Sequence, residues 1–380
     1  MDLPEARLPE GRELVRSLDF KRLPKVLLHE HLDGGLRPST VIELSRELGY
    51  EGLPTEDAGE LASWFHRGAQ RGNLGEYLEG FAHTIAVMQT KDGLERVAYE
   101  YMEDMFRDGV VHSEVRFAPV FHDRAGLTQD EVVEAVIAGL ERGQKEFGVS
   151  WGLIICAMRD RRDSLEAAEL AIRWRDRGVV GFDLAGEESG HPPKRHLEAF
   201  QAISRANFKI TIHAGEAFGP ESIWQALQYC GAHRLGHGTR LLEDIAFLED
   251  GSMVLGRLAQ FILDRRIPLE MCLSSNVHTG ACASVAEHPF PKFFRAGFRV
   301  FLNTDDRLMS DTEMSKELEI ATQVFDLSLG DLQKITVNAA KSSFAHYAER
   351  LDLIHRRILP SYAVLFAEQG LKLLSEQGPG

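Results

Sequence analysis

Cysteine is scarce in this chain. Cys156, Cys230, Cys272 and Cys282 are spread over 380 residues without a CxxC spacing, which excludes a disulfide framework and leaves thiols expected to be reduced in a cytoplasmic protein. A cationic excess is absent too. Lys and Arg number 43 against 58 Asp and Glu, a net charge of −15, which repels phosphate backbones and anionic membrane surfaces over a Debye length. Neither nucleic acid nor membrane is an expected partner. Long apolar runs are missing as well: no segment approaches the roughly 20 uninterrupted apolar residues of a membrane span. The opening, MDLPEARLPEGRELVR, is charged where a signal peptide is apolar. There is no internal repeat, low-complexity tract or interdomain linker. The expectation is a soluble intracellular protein, and 44 % apolar residues suffice for one large core.

What is present is a rhythm. Eight short apolar runs end in polar or glycine residues: KVLLHEH (25–31), VVHSEVRFAP (110–119), SWGLIICAMRD (150–160), VVGFDLAG (179–186), KITIHAGE (209–216), RLGHG (234–238), PLEMCLSS (268–275) and RVFLNTDD (299–306). Amphipathic stretches such as TQDEVVEAVIAGLERGQKEF and PESIWQALQYC lie between them, the second with Pro220 suited to a first helical turn. Strand alternating with helix eight times predicts an α/β protein built as a (β/α)₈ TIM barrel, although a doubly wound open sheet shows the same alternation. The long gap at 39–109 reads as extra helices inserted after the first strand, carrying Trp64, Phe65, Tyr77 and Phe81. Such an insertion belongs over the active-site face. One domain spans 1–380, with the barrel at about 25–350 and a helical tail at 351–380 that ends in GPG.

Residues able to do chemistry sit where the strands end, which is where such a barrel places its site. His29 and His31 are two apart on a strand, so both rings face one side while Glu30 faces the other. His213 in HAGE and Asp305 in NTDD are strand-end residues that singly read as caps or loop hydrogen bonds. Three neutral imidazoles and a carboxylate suit one Zn²⁺ with an open water position, and zinc lowers the pKa of water from about 15.7 to about 7. Glu216, three residues past His213, is placed to exchange a proton with a substrate, or is simply a first-turn carboxylate. His237 lies between two glycines, which let backbone and substrate come close, and could orient or deprotonate the water.

The strings KVLLHEHLDGGL, DLAGEE, TIHAGE, RLGHGTRL, CLSSNVHTGA and FLNTDD resemble, in order and spacing, the adenosine deaminase family of the amidohydrolases, over about residues 25–320. The resemblance implies a (β/α)₈ barrel, with His29, His31, His213 and Asp305 as metal ligands. It implies that Glu216 protonates N1 of a purine, His237 orients the hydroxide, and Asp306 bonds N7. Asp33 falls where the family meets a ribose 5′ hydroxyl, Gly186 where its backbone meets N3, and His31 also borders the substrate. Two-metal relatives need a modified lysine ending the fourth strand; here that strand ends Leu184, Ala185, Gly186, so one zinc is expected. The HxE and PCxxC signature of cytidine-type deaminases is not met, since HLE at 196–198 has no cysteine following a proline to go with it. Two residues depart from the family pattern: Glu30, often apolar, and Arg307, often proline. The expected activity is hydrolysis of adenosine and 2′-deoxyadenosine to inosine and deoxyinosine plus ammonia. The alternatives are deamination of adenine or another 6-aminopurine derivative, which Asp33-Gly34 disfavours, and a catalytically silent barrel acting as a binding protein. AMP is not expected, because no basic cluster lies near the motifs. Oligomeric state is not legible.

Overall fold

The apolar runs become parallel strands because their neighbours in sequence are helices that supply the crossovers and cover the outer face of each strand. The computed structural model describes Val15, residues 18–248 and residues 252–368. Its strands are β1 (Lys25–His31), β2 (Val110–Phe117), β3 (Ser150–Met158), β4 (Val179–Ala185), β5 (Thr211–Ala214), β6 (Arg234–His237), β7 (Ile245–Phe247), β8 (Met253–Leu255), β9 (Leu269–Met271) and β10 (Val300–Leu302). Two parallel four-stranded sheets run β1-β2-β3-β4 and β10-β9-β6-β5. Single bridges join them at both seams, Phe182 with Ile210 and Glu30 with Asp305. At the second seam His31 N donates to Asp305 O (2.8 Å) and Asp305 N to His29 O (3.0 Å). The eight parallel strands therefore close into a barrel, as the alternation predicts.

Helix boundaries follow local chemistry. Thr128 and Glu131 form a capping box at the start of Gln129–Phe147, and Gly148 ends that helix at φ 72°. Pro220 occupies the first turn of Pro220–Gln228. The predicted strands run long at their carboxyl ends, where seven of the eight stop early, two of them by four residues. The PLEMCLSS run stops at Met271 and continues as helix Leu273–His278. The RVFLNTDD run stops at Leu302, because Asp305 takes a left-handed φ of 64° that no strand tolerates. The antiparallel hairpin β7-β8 was not anticipated; its strands are three residues each and too short to register as a pattern.

The 39–109 segment divides in two. Helix Lys91–Arg107 is the ordinary crossover between β1 and β2 and packs on Gln129–Phe147, where Tyr99 Oη donates to Glu146 (2.7 Å). The earlier helices, Pro38–Leu48, Ala58–Ala69, Leu74–Tyr77 and Phe81–Val87, are the true insertion, and Leu74, Tyr77 and Phe81 wall the cavity at the carboxyl ends of the strands. The tail is helical over Tyr347–Asp352, Leu353–Ile358 and Leu359–Glu368, and the terminal GPG lies outside the described residues. All four thiols are unpaired. No described helix is long and apolar enough to cross a membrane.

The barrel interior departs from the usual aliphatic filling. Arg234 on β6 reaches Glu114 on the opposite strand β2 (2.6 Å) and Glu270 on β9 (2.5 Å). Arg116 on β2 holds Glu270 (2.9 Å) and Asp183 on β4 (3.1 Å). All five side chains are buried. Buried charges persist when each is paired with an opposite charge, and every carboxylate of this column meets a guanidinium.

Candidate active site

Six candidate donors converge at the carboxyl ends of β1, β5, β6 and β10. Ligand atoms of His29, His213, His237 and Asp305 all lie within 4.8 Å of one another, and His31, Asp305 and Asp306 form a second such group. His29 Nε2 is 3.1 Å from Asp305 Oδ1 without forming a hydrogen bond, and His31 Nε2 is 3.1 Å from His213 Nε2. The buried column fixes their orientation. His29 Nδ1 lies 2.7 Å from Glu270 and His213 Nδ1 3.1 Å from Asp183. Arg116 and Arg234 keep Glu270 ionised despite its burial, so it only accepts and His29 carries its proton on Nδ1. His29 Nε2 then faces the cluster without a hydrogen-bond partner. Burial, with added repulsion from His213, pushes His31 down to about 3, and burial pushes His213 down to about 4 despite Asp183. Burial opposes ionisation of Asp305, yet His29 and the other imidazoles hold it well below the ordinary carboxylate range. Neutral His31 and His213 beside an anionic carboxylate are protonation states that suit a metal. Burial and Arg116 lower His29, but Asp305 and Glu270 raise it on balance above the ordinary histidine value, so a metal there would displace its proton. The donor set fits a borderline cation such as zinc.

The other sequence-predicted residues border the same space. A cavity of about 350 Å³ is lined by His31, Asp33, Gly186, Glu216, His237 and Asp306 among others, while His29 lies beneath it, fully buried. Glu216 accepts from Thr279 Oγ1 (2.8 Å) and Asn276 Nδ2 (3.3 Å) and sits 3.4 Å from His237 Nε2. Burial raises its pKa above the ordinary glutamate value, outweighing the nearby His237. Burial and the adjacent Asp305 carboxylate push Asp306 well above the ordinary value. Tyr77 Oη donates to Asp306 Oδ2 (2.9 Å), and Asp306 Oδ1 and Asp33 Oδ1 are buried without partners.

Backbone geometry shows why these positions are constrained. His237 and Asp305, both non-glycine, take φ of 61° and 64°, strain that persists where surrounding structure imposes it. A Cβ at Gly34 would overlap the Asp306 carboxylate, and one at Gly236 would stand 3.0 Å from His29 Cε1 and 3.1 Å from the His213 backbone. The cluster closes only around these glycines.

The two family departures meet each other. Glu30 does point away from the ligands, but it is fully buried rather than solvated. Arg307 Nε donates to Glu30 (2.9 Å), its Nη1 to Asp104 (3.1 Å) and its Nη2 to Gly35 O (3.0 Å). Thr304 Oγ1 also donates to Glu30. A buried ion pair thus ties β1 to the loop carrying Asp305 and Asp306.

Several contributors escape a motif reading. Ser275 Oγ donates to Asp305 (2.6 Å), and Asn276 Nδ2 contacts His237 Nδ1 (3.0 Å). Glu188 accepts the backbone N–H groups of Gly215, Glu216, Ala217 and Phe218 within 3.0 Å and so shapes the Glu216 loop. For Asp183, Glu270 and Arg116 a signal existed, namely lone charges inside otherwise apolar strands. For Tyr77 the signal was its place in the insertion expected over the site, and for Thr279 its place in the CLSSNVHTGA string; neither gave its partner.

A family model described as adenosine deaminase matches residues 24–358. The adenosine deaminase of Mycobacterium marinum is 53 % identical over 351 residues, covering 91 % of this chain and 97 % of that protein. Adenosine deaminase 1 of Streptomyces coelicolor is 55 % identical over 354 residues, covering 92 % and 89 %. Among solved structures, adenine deaminase from Arthrobacter aurescens superposes with a TM-score of 0.80 at 27 % identity, covering 91 % of this chain and 99 % of that one. In motif order, barrel topology and overall identity alike, the chain belongs to the adenosine deaminase family.

Proposed function

We propose that this chain hydrolyses adenosine and 2′-deoxyadenosine to inosine and deoxyinosine plus ammonia, with His29, His31, His213 and Asp305 holding one zinc ion. The observation that carries this reading is Glu216: a buried carboxyl group with a raised pKa, facing the same cavity as the histidine cluster. A carboxyl group whose pKa is raised by burial is better matched to donate a proton to N1 of a purine, which makes C6 electrophilic. Zinc bound at the four ligands supplies the Lewis acidity that makes water available as a nucleophile near pH 7. Asn276 donates to His237 Nδ1, so the neutral ring carries its proton on Nε2, toward Glu216 and Asp305. That tautomer suits His237 to orienting the attacking water. Of the water's two protons, one leaves with the amino group as ammonia and the other restores Glu216 as C6 becomes a carbonyl.

Recognition follows from unpartnered atoms. Asp306, held protonated, can donate to N7 through Oδ1, and Asp33 Oδ1 can accept from a ribose 5′ hydroxyl. Gly186, at φ 96°, brings its backbone to the cavity wall, where N3 would lie. Among the described residues Arg124 is the one Arg or Lys lining the cavity, against several carboxylates, which favours an uncharged nucleoside over a nucleotide. The likeness to an adenine deaminase makes free adenine the rival substrate, and the unpartnered Asp33 oxygen favours the nucleoside. Purified protein should carry about one equivalent of zinc and change the ultraviolet spectrum of adenosine. A panel of adenosine, 2′-deoxyadenosine, adenine and AMP ranks the substrates, and faster turnover of adenine overturns the assignment.

A further inference from the structure

The opposite, amino-terminal mouth of the barrel holds a second cavity of about 460 Å³. Four neighbouring strands open into it: Lys209 precedes β5, Arg234 begins β6, Pro268 precedes β9 and Arg299 precedes β10. Of its eighteen lining residues seven are Lys or Arg and none is Asp or Glu. This is a local reversal of sign in a chain whose net charge is −15.

The cations are left with donors to spare. Arg234, only 1 % exposed, uses Nε and Nη1 on Glu270 and Glu114 and stacks 3.7 Å over the Phe344 ring, but its Nη2 is buried with no partner. Arg299 Nε and Arg350 Nε are buried and unpartnered as well. Arg266 and Arg350 each spend one nitrogen on a carbonyl, of Gly297 (2.7 Å) and of Lys341 (2.8 Å). Arg299 has no carboxylate opposing it: burial, then Arg266 and Arg350, hold it below its ordinary range. Water can satisfy an N–H group but cannot offset repulsion among several cations, whereas an oxyanion does both.

We propose that this cavity binds a small multivalent oxyanion, a di- or triphosphate unit. Seven Lys and Arg side chains line this one space with no Asp or Glu among the lining residues, more positive charge than a monovalent anion neutralises, and the volume exceeds that of one phosphate group. A long nucleic acid is disfavoured, because the acidic remainder of the surface repels an extended polyanion. The site lies at the other end of the barrel from the deaminase reading and does not depend on it.

Isothermal titration of the intact protein with inorganic tripolyphosphate, at about 0.15 M salt to screen loose surface attraction, tests this directly. The expected result is saturable binding of one tripolyphosphate per chain, at least about tenfold tighter than orthophosphate. Arg299→Gln, and separately Lys341→Gln at the exposed rim, should weaken it at least about tenfold, the scale of one charge-assisted contact. Arg67→Gln, on an exposed helix of the insertion, should not change it. Circular dichroism checks folding, and the rim variant serves if Arg299→Gln unfolds. No saturable heat up to about 10 mM, or undiminished affinity in both cavity variants, overturns the proposal.

Discussion

The two mouths of the barrel leave opposite kinds of atom unpaired. Among the residues lining the carboxyl-end cavity the buried, unpartnered atoms are Asp33 Oδ1 and Asp306 Oδ1, with His29 Nε2 beside it; among those lining the amino-end cavity they are the guanidinium nitrogens of Arg234, Arg299 and Arg350. One end presents lone pairs and carboxyl groups, which suits a cation and a hydrogen-bonding purine. The other presents N–H donors, which suit an anion. Both are anchored to one column, since Glu270 touches His29 on one side and Arg234 on the other. A charged interior thus lets a parallel barrel hold differently charged sites at its two ends.

The largest effect expected from breaking this contrast is at Asp305. Asp305→Ala removes the one anionic ligand candidate and leaves the imidazoles without a counter-charge. Metal affinity should fall beyond the ~10–100-fold seen on removing an outer-shell partner, with activity falling alongside. Metal analysis of purified variant decides: unchanged zinc content shows the ligand set is wrong. Next is Glu216→Gln, which keeps Thr279 as a partner but cannot deliver a proton. It should retain zinc and fold while losing about 10²–10⁴-fold in kcat, and a variant that turns over like its parent excludes Glu216 as the donor.

Much of the carboxyl mouth was legible in the sequence, because strand-end residues lie next to the apolar runs that define the strands. His29, His31, His213 and Asp305 each lie in a β-run; the structure groups His29, His213 and Asp305 with His237, and His31 with Asp305 and Asp306. What remained hidden depends on contacts between distant segments. Tyr77 meets Asp306 across 229 positions, and Arg234 meets Glu114 across 120; no periodicity encodes either. The amino mouth was illegible for a related reason. Its cations come from separate strand starts and from the helix end at Lys341, so a negative total charge conceals a basic cavity that exists only after folding.

A third prediction concerns the pair formed by the two family departures. Glu30 is fully buried, and burial raises its pKa to about 7 even with Arg307 beside it. Arg307→Ala leaves that carboxyl group without its cation, at a cost of about 3–5 kcal/mol when ionised. Protonation removes the need for a partner, so the loss should be largest near pH 8 and smaller near pH 5.5. Chemical denaturation at both pH values measures it. Equal losses would mean that Arg307 contributes by packing alone and that the seam between β1 and the Asp305 loop is not held electrostatically.

The smallest effect tests the amino mouth through Lys25, which begins β1 at the end away from the site. Its Nζ donates to Leu23 O (2.9 Å), and burial lowers its pKa from 10.5 to about 8 although Asp108 opposes the shift. A lysine whose pKa is depressed on folding binds its proton more tightly in the unfolded chain. Between pH 8 and 10.5 the unfolded state therefore holds more protons, and stability should rise with pH across that window. The full difference corresponds to at most about 3 kcal/mol. Lys25→Met should flatten the rise relative to the parent, while groups that titrate in both proteins cancel in the comparison. Parallel stability curves for parent and variant would mean that the positive charge at this end of the barrel costs nothing. The excess of unpaired donors there would then be a matter of hydrogen bonding rather than of charge.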